Sequence, residues 1–307
     1  MSFSATDAAF EGFRLVRRKP LALVAWTLVY LVYSVASLFA SAGMMRSMAD
    51  FTTQAEALEN GPQPTSWEAV APMFEALGTA MGHVAWTFPV SLIISAVLAA
   101  AVARGVLTPK AGGFGYLRLG MDELRVFVVT LVICILSFIA VFLAFMLAVI
   151  VGIIAAQALE GWGVLIGVLA GLAACAFTIW LMVRWSLAVP ITVHEKKFAF
   201  FDSFALTKGR FWPLLGMACI ALVMTLLICL LSMIVTTPLT MMTGMTAFGN
   251  MGATDPDEIL KAFDVTNPWV LASTVVNAIV YALTVGILYA PFSAAYAQIK
   301  GVETAEV

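Results

Sequence analysis

Long runs with almost no charge constrain this chain more than any motif in it. Six can be read, at 21–43, 82–104, 126–153, 163–189, 213–238 and 269–297, and Arg104 and Arg184 near two of their ends are the only Lys or Arg residues inside them. About 20 apolar residues suffice for a helix to cross the roughly 30 Å hydrocarbon layer of a bilayer. Only helices and closed barrels satisfy every backbone group in lipid, and barrel strands alternate polar with apolar residues. These runs do not alternate. Composition agrees: 62% of the residues are hydrophobic and 11% charged, against about 25% charged in a soluble domain. The expected fold class is all-α, a polytopic membrane protein of six transmembrane helices in a single integral membrane domain, 1–307.

Lys and Arg set the expected orientation. Arg14, Arg17, Arg18 and Lys19 precede the first span, and Arg104, Lys110, Arg118 and Arg125 lie around the connection from the second to the third. Arg184, Lys196, Lys197, Lys208 and Arg210 cluster between the fourth and fifth, and Lys300 follows the sixth. Only Arg46 and Lys261 fall on the other side. The positive-inside rule places the larger group in the cytoplasm, which puts both termini there. The opposite loops, 44–81, 154–162 and 239–268, carry ten acidic residues, Glu160 in the shortest. The net charge of −2 therefore divides into about +6 on one face and −8 on the other.

The small residues of "FASAG" (39–43) resemble a signal-cleavage site, but the run before them is about twenty residues, longer than a usual signal peptide, and reads as an uncleaved anchor. The four cysteines (Cys134, Cys175, Cys219 and Cys229) all fall inside spans without metal-site spacing. They read as small buried hydrophobes.

Three segments resemble one another: "FEGFRLVRRKP" (10–20), "FGYLRLGMDELR" (114–125) and "FDSFALTKGRFWP" (201–213). Each begins with Phe, has Phe or Leu three residues on and Leu two after that, and each carries cations and leads into a span. Phe114, Leu117, Met121 and Leu124 have the spacing of one helix face. Such a helix lies in the headgroup layer, and each cation there contributes on the order of 1 kcal/mol toward an anionic surface. The expected architecture is three repeats, about 1–104, 105–190 and 191–300, each an interfacial amphipathic helix followed by a transmembrane hairpin.

The even spans add small-residue ladders: Ser91, Ser95, Ala99 and Ala103; Gly163, Gly167, Gly171 and Cys175; and Ala278, Ala282, Gly286, Ala290 and Ala294. Such ladders let helices approach closely in lipid. The expectation is a tight trio of even spans inside an outer ring of odd ones.

The segment "RWSLAVPITVHEKK" followed by "SFALTKGRFW" resembles the glycerophosphodiester phosphodiesterase membrane-domain family of bacteria and, more distantly, the YciC-like membrane proteins. Arg184, Pro190, Glu195, Ser203, Leu206, Thr207, Gly209, Phe211 and Trp212 carry the likeness; Ala205 stands where a basic residue is expected. The resemblance implies a membrane module without its enzyme. The chain has two histidines, His83 and His194, more than a hundred residues apart, and its longest loop is about forty residues. That is too short for a catalytic barrel of about 250 residues. No P-loop, GxSxG or HExxH motif occurs.

No catalytic residue, metal ligand or cofactor is expected. Arg104 and Arg184 lie about one turn from the ends of their spans and are expected to snorkel to the headgroups. Asn277, the one carboxamide well inside a span, is expected to hydrogen-bond between helices. Candidate headgroup or partner-binding residues are Arg118, Arg125, Arg184, Glu195, Lys208 and Arg210. The 44–81 loop, broken at Gly61-Pro62 and Pro64-Thr65 and capped at Ser66, reads as a solvated loop helix, a lid or a docking surface. The expected function is that of a non-catalytic inner-membrane protein that binds anionic phospholipid or organises membrane partners, with a protein partner in the membrane or at the acidic loops and no nucleic acid. The alternative is a small lipid or solute transporter with a pathway between three hairpins.

Overall fold

Lipid outside and proline within decide where these helices start, bend and end. The computed structural model describes residues 3–61, 66–109, 113–118, 120–158, 161–242 and 263–302. Lys110, Leu119, Glu160, Lys261 and most of the 239–268 loop lie outside the described residues. Among the described residues there is no strand, and six helices are long and apolar enough to cross a membrane: Pro20–Asn60, Val70–Leu107, Met121–Ala158, Gly163–Glu195, Phe211–Met242 and Pro268–Lys300. The chain is an all-α, multi-pass membrane protein by architecture.

The described chain divides into two compact units. The first comprises Met1–Arg18, Ala96–Met224 and Val285–Val307, the second Lys19–Ser95 and Thr225–Thr284.

In the second unit, α3 (Pro20–Asn60) follows the short α1 (Ala5–Ala9) and α2 (Glu11–Arg18) of the first unit. Pro20 starts α3 because a helix's first N–H groups have no partner to lose. At 41 residues α3 is about 60 Å long, twice the hydrocarbon layer. Past Arg46 it continues to Asn60, its last part, Gln54-Ala-Glu-Ala-Leu-Glu59, made of residues that favour helix in water, and it stops at Gly61. The supposed loop 44–81 is therefore mostly helical hairpin, formed by the far end of α3 and by α4 (Trp67–Ala85) packed along it. Ser66 occupies the N-cap of α4 without a side-chain cap bond. Gly43 lies so close to His83 that a Cβ would sit 2.6 Å from its Nδ1, which gives His83 a packing role between α3 and α4. The helix breaks at Trp86 before α5 (Thr87–Leu107), because Pro89 has no N–H for the Ala85 carbonyl. The Tyr33 hydroxyl donates to the Thr87 carbonyl at 3.2 Å beside this break.

The first unit's core is built from small and branched residues. Ala96, Ala100 and Ala103 of α5 pack with Val126 of α6 (Met121–Ala158) and Val193 of α8 (Ala188–Glu195). The other helices contributing to this unit are α7 (Gly163–Trp185), α9 (Asp202–Thr207), the start of α10 (Phe211–Met242) and the end of α11 (Pro268–Lys300). Gly12 of α2 touches α11 directly, a Cβ there lying 2.5 Å from the Ile287 Cα.

Several expectations change. The four residues Phe114, Leu117, Met121 and Leu124 do not share a helix. Gly113, Gly115 and Tyr116 take positive φ, Leu117 is extended, and only a 3₁₀ turn, Phe114–Tyr116, precedes α6. The segments ahead of the three hairpins thus differ locally: two helices of five and eight residues, one 3₁₀ turn, and the six-residue α9.

The glycine ladder of the fourth span faces an odd span. A Cβ on Gly152 of α6 would lie 3.3 Å from the Gly167 Cα of α7, and Gly163 packs on the Ala155–Ala156 backbone of α6. An even-span trio is not how this ladder is used. All four cysteines are exposed rather than buried: on the outside of a membrane bundle the surroundings are lipid, so an apolar side chain gains nothing from turning inward. Asn277 is half-buried, and no hydrogen bond joins it to another described residue.

Candidate functional site

The basic segment between the fourth and fifth spans is organised around a missing N–H. Pro190 cannot donate to the Ser186 carbonyl, so helix α7 ends at Trp185 and α8 begins at Ala188. The break frees backbone groups in a buried setting, and such groups need partners. Ser203, fully buried on α9, supplies them: its hydroxyl accepts from the Leu187 N–H at 3.2 Å and donates to the Arg184 carbonyl at 2.6 Å. Thr207, one turn on, donates to the Ser203 carbonyl at 2.8 Å and accepts from Arg184 Nη1 at 3.3 Å. Arg184 also donates to the Phe204 carbonyl at 3.3 Å and lies over the Trp180 ring at 5.4 Å. Phe204 meets Trp180 and Trp185 edge-on, at 6.1 and 5.6 Å between centroids. Arg184 is therefore held by α9 and Trp180 rather than extended toward a headgroup. Arg184, Pro190, Ser203 and Thr207 together form one packing device.

Glu195 belongs to a second group. It accepts from Tyr296 Oη at 3.1 Å and pairs with Lys300 at 3.2 Å and Lys197 at 2.9 Å. Lys197 also reaches Asp202 at 3.4 Å, and Tyr296 Oη meets His194 Nδ1 at 3.0 Å. The hydrogen bond to Glu195, with Asp202 adding to it, raises the Lys197 ammonium above its ordinary value. Lys196 takes the left-handed conformation at the C-cap of α8 (φ 52), which turns the chain toward this cluster. The expected grouping of Glu195 with Arg184, Lys208 and Arg210 does not form; Glu195 ties the end of α8 to the end of α11.

A third group was not foreseen. Arg104, 6% exposed, is buried and paired with Glu123, 5% exposed. Arg104 Nη1 also donates to the Tyr116 carbonyl at 2.7 Å, and Glu123 accepts the Gly120 N–H at 3.0 Å. That last bond is half of a capping box, with the glutamate three residues into the helix reaching back to the residue before it. Arg104 does not snorkel. The signal was present in Gly120-x-x-Glu123 ahead of an apolar run; what the sequence hid was the arginine nineteen positions earlier that meets it.

The remaining candidates stay near the surface. Arg118 is exposed, and Arg125 pairs with Asp122 one turn away at 2.7 Å. In the N-terminal segment Arg14 pairs with Asp7 at 2.5 Å and with Glu11 at 3.4 Å, and Arg18 approaches Glu11 at 3.8 Å. Lys208 and Arg210 flank Gly209, whose φ of 76 lets the chain turn between α9 and α10. Both are exposed, and neither pairs with a carboxylate among the described residues. The Arg210 guanidinium donates to the Leu206 carbonyl at 3.3 Å, and the Arg210 backbone N–H to the Thr207 carbonyl at 3.1 Å. Beside them Phe201 is 64% and Trp212 76% exposed. Chemically this is a cationic turn with an aromatic rim, on a base fixed by Ser203 and Thr207.

Among the described residues no group of three or more His, Cys, Asp or Glu side chains could hold a metal ion. Comparison with family models, with curated proteins and with solved structures finds no match to this chain.

Proposed function

We propose that this chain is a non-catalytic protein of a bacterial inner membrane, both termini cytoplasmic, that holds anionic phospholipid at the inner leaflet. The observation that carries the reading is the turn at Lys208–Arg210. Its two cations have no carboxylate partner among the described residues, whereas Arg14, Arg104, Arg125, Lys197 and Lys300 all have one. An unneutralised pair of cations beside exposed Phe201 and Trp212 suits the boundary where aromatic rings sit at headgroup level and phosphates lie within reach. The likeness of 184–213 to the membrane module of the glycerophosphodiester phosphodiesterase family agrees with a membrane role separate from catalysis.

The test is Lys208→Gln with Arg210→Gln in the full chain, extracted gently and examined by native mass spectrometry. At about 1 kcal/mol per cation, the pair should lose on the order of thirtyfold in affinity for phosphatidylglycerol. Unchanged retention of anionic lipid would exclude the turn as the headgroup site.

A further inference from the structure

The hairpin of α3 and α4 in the second unit holds a groove of about 370 Å³ along its seam. That size falls within the range of small-molecule sites, roughly 300–1,000 Å³. The two helices close on each other at Gly43 and His83, and the groove begins one turn further along α3. Ser47, Asp50 and Thr53 line it at three-residue steps on α3, and Glu75 and Thr79 one turn apart on α4, so one stripe of each helix faces it. The Thr53 and Thr79 hydroxyls donate within their own helices, to the Ala49 carbonyl at 3.0 Å and the Glu75 carbonyl at 2.9 Å. They turn only lone pairs toward an occupant. Asp50 and Glu75 form no ion pair among the described residues, and Arg46, one turn before Asp50, does not pair with it.

Ser47 supplies the independent observation. It is 8% exposed, it lines the groove, and its hydroxyl makes no hydrogen bond to another described residue. A serine inside a helix usually bonds back to a carbonyl of the preceding turn; this one leaves its oxygen open to the groove. The groove thus offers two carboxylates and a free hydroxyl, with no protein cation between them. Two carboxylates are few for a bare metal ion, which in the case of calcium takes six to eight oxygens, and no group of three or more His, Cys, Asp or Glu side chains stands among the described residues. An alkylammonium carries three N–H donors and no acceptor, which matches Asp50, Glu75 and Ser47 one for one. We infer that the α3–α4 groove binds a primary alkylammonium group, brought by a free amine or by a lysine side chain of a partner.

The experiment uses the full chain in nanodiscs of zwitterionic phosphatidylcholine, which adds no net lipid charge, at low salt. Binding is followed by saturation-transfer NMR of the probe. One arm titrates putrescine, a free amine; the other titrates a tripeptide with a central lysine, blocked at both ends, which stands for a partner's side chain. Asp50→Asn and Glu75→Gln, both at exposed positions that tolerate substitution, should each weaken binding about threefold. Ser47→Ala removes the hydroxyl without changing charge and should weaken it about fivefold. Glu59→Gln removes an exposed carboxylate of the same hairpin outside the groove and should change nothing. Saturable binding of either probe with this pattern supports the site and names its source. No saturation by either probe overturns it. So does binding that Ser47→Ala leaves intact, or that Glu59→Gln weakens as much as Glu75→Gln, since that is a diffuse cloud of counterions around an acidic hairpin.

Discussion

At residue scale the buried Arg104–Glu123 pair carries the largest stake. Two desolvated charges hold each other, with the Tyr116 carbonyl and the Gly120 N–H completing the set. Removing one partner strands the other, at a cost of about 3–5 kcal/mol, whereas replacing both with apolar residues of similar volume is often neutral. Glu123→Gln should therefore lower stability strongly in denaturing mixed micelles, and Arg104→Met with Glu123→Met should restore most of it. Equal losses in both variants would mean that the site acts through shape rather than charge. Ser203 offers a second test. It satisfies two backbone groups at one break, so Ser203→Ala should cost about 1–3 kcal/mol in the same assay, and no loss would mean that those groups find other partners. The sequence showed Pro190 and Ser203 as members of one pattern. Their joint task was hidden, because a proline thirteen positions earlier creates the need that the serine meets, and periodicity reports only local neighbours.

At element scale the six spans were legible to within a few residues at most ends, since bilayer thickness imposes a length that hydropathy reads directly. The parts outside lipid were less so. The α3 helix passes its span by nearly five turns because Ala, Leu and Glu remain good helix formers in water whatever the polarity of the stretch around them. The supposed helix across 114–125 failed for the converse reason: Gly113 and Gly115 gave the backbone access to positive φ, which outweighed a favourable apolar spacing. The α6–α7 hairpin gives a direct check. With the four native cysteines replaced by alanine, Gly152→Cys and Gly167→Cys should crosslink on oxidation, since a Cβ on Gly152 comes within 3.3 Å of the facing Cα. Failure to crosslink would refute this close approach. Gly12→Ala should loosen α2, because the new Cβ meets the backbone of α11 rather than a side chain that could swing away; protease sensitivity of the N-terminal segment would report it.

At the scale of the whole molecule, the charge asymmetry is the organising feature, and it was fully visible as counts along the sequence. What counts could not show is which cations are already neutralised by the protein. Arg14, Arg18, Arg125, Lys197 and Lys300 have intramolecular partners, so the field offered to a membrane is narrower than the sequence suggests and falls to exposed cations such as Arg17, Lys19, Lys196, Lys208 and Arg210, which have no carboxylate partner among the described residues. The account stands on three basic segments sharing the cytoplasmic boundary. Single cysteines at Arg17, Gly113 and Gly209, and one at Asp50, placed in a chain lacking the native four, can be reacted with a membrane-impermeant maleimide in right-side-out and inverted vesicles. The first three should label only in inverted vesicles and the fourth only in right-side-out ones; labelling of any of the three from the side that labels Asp50 would contradict the account.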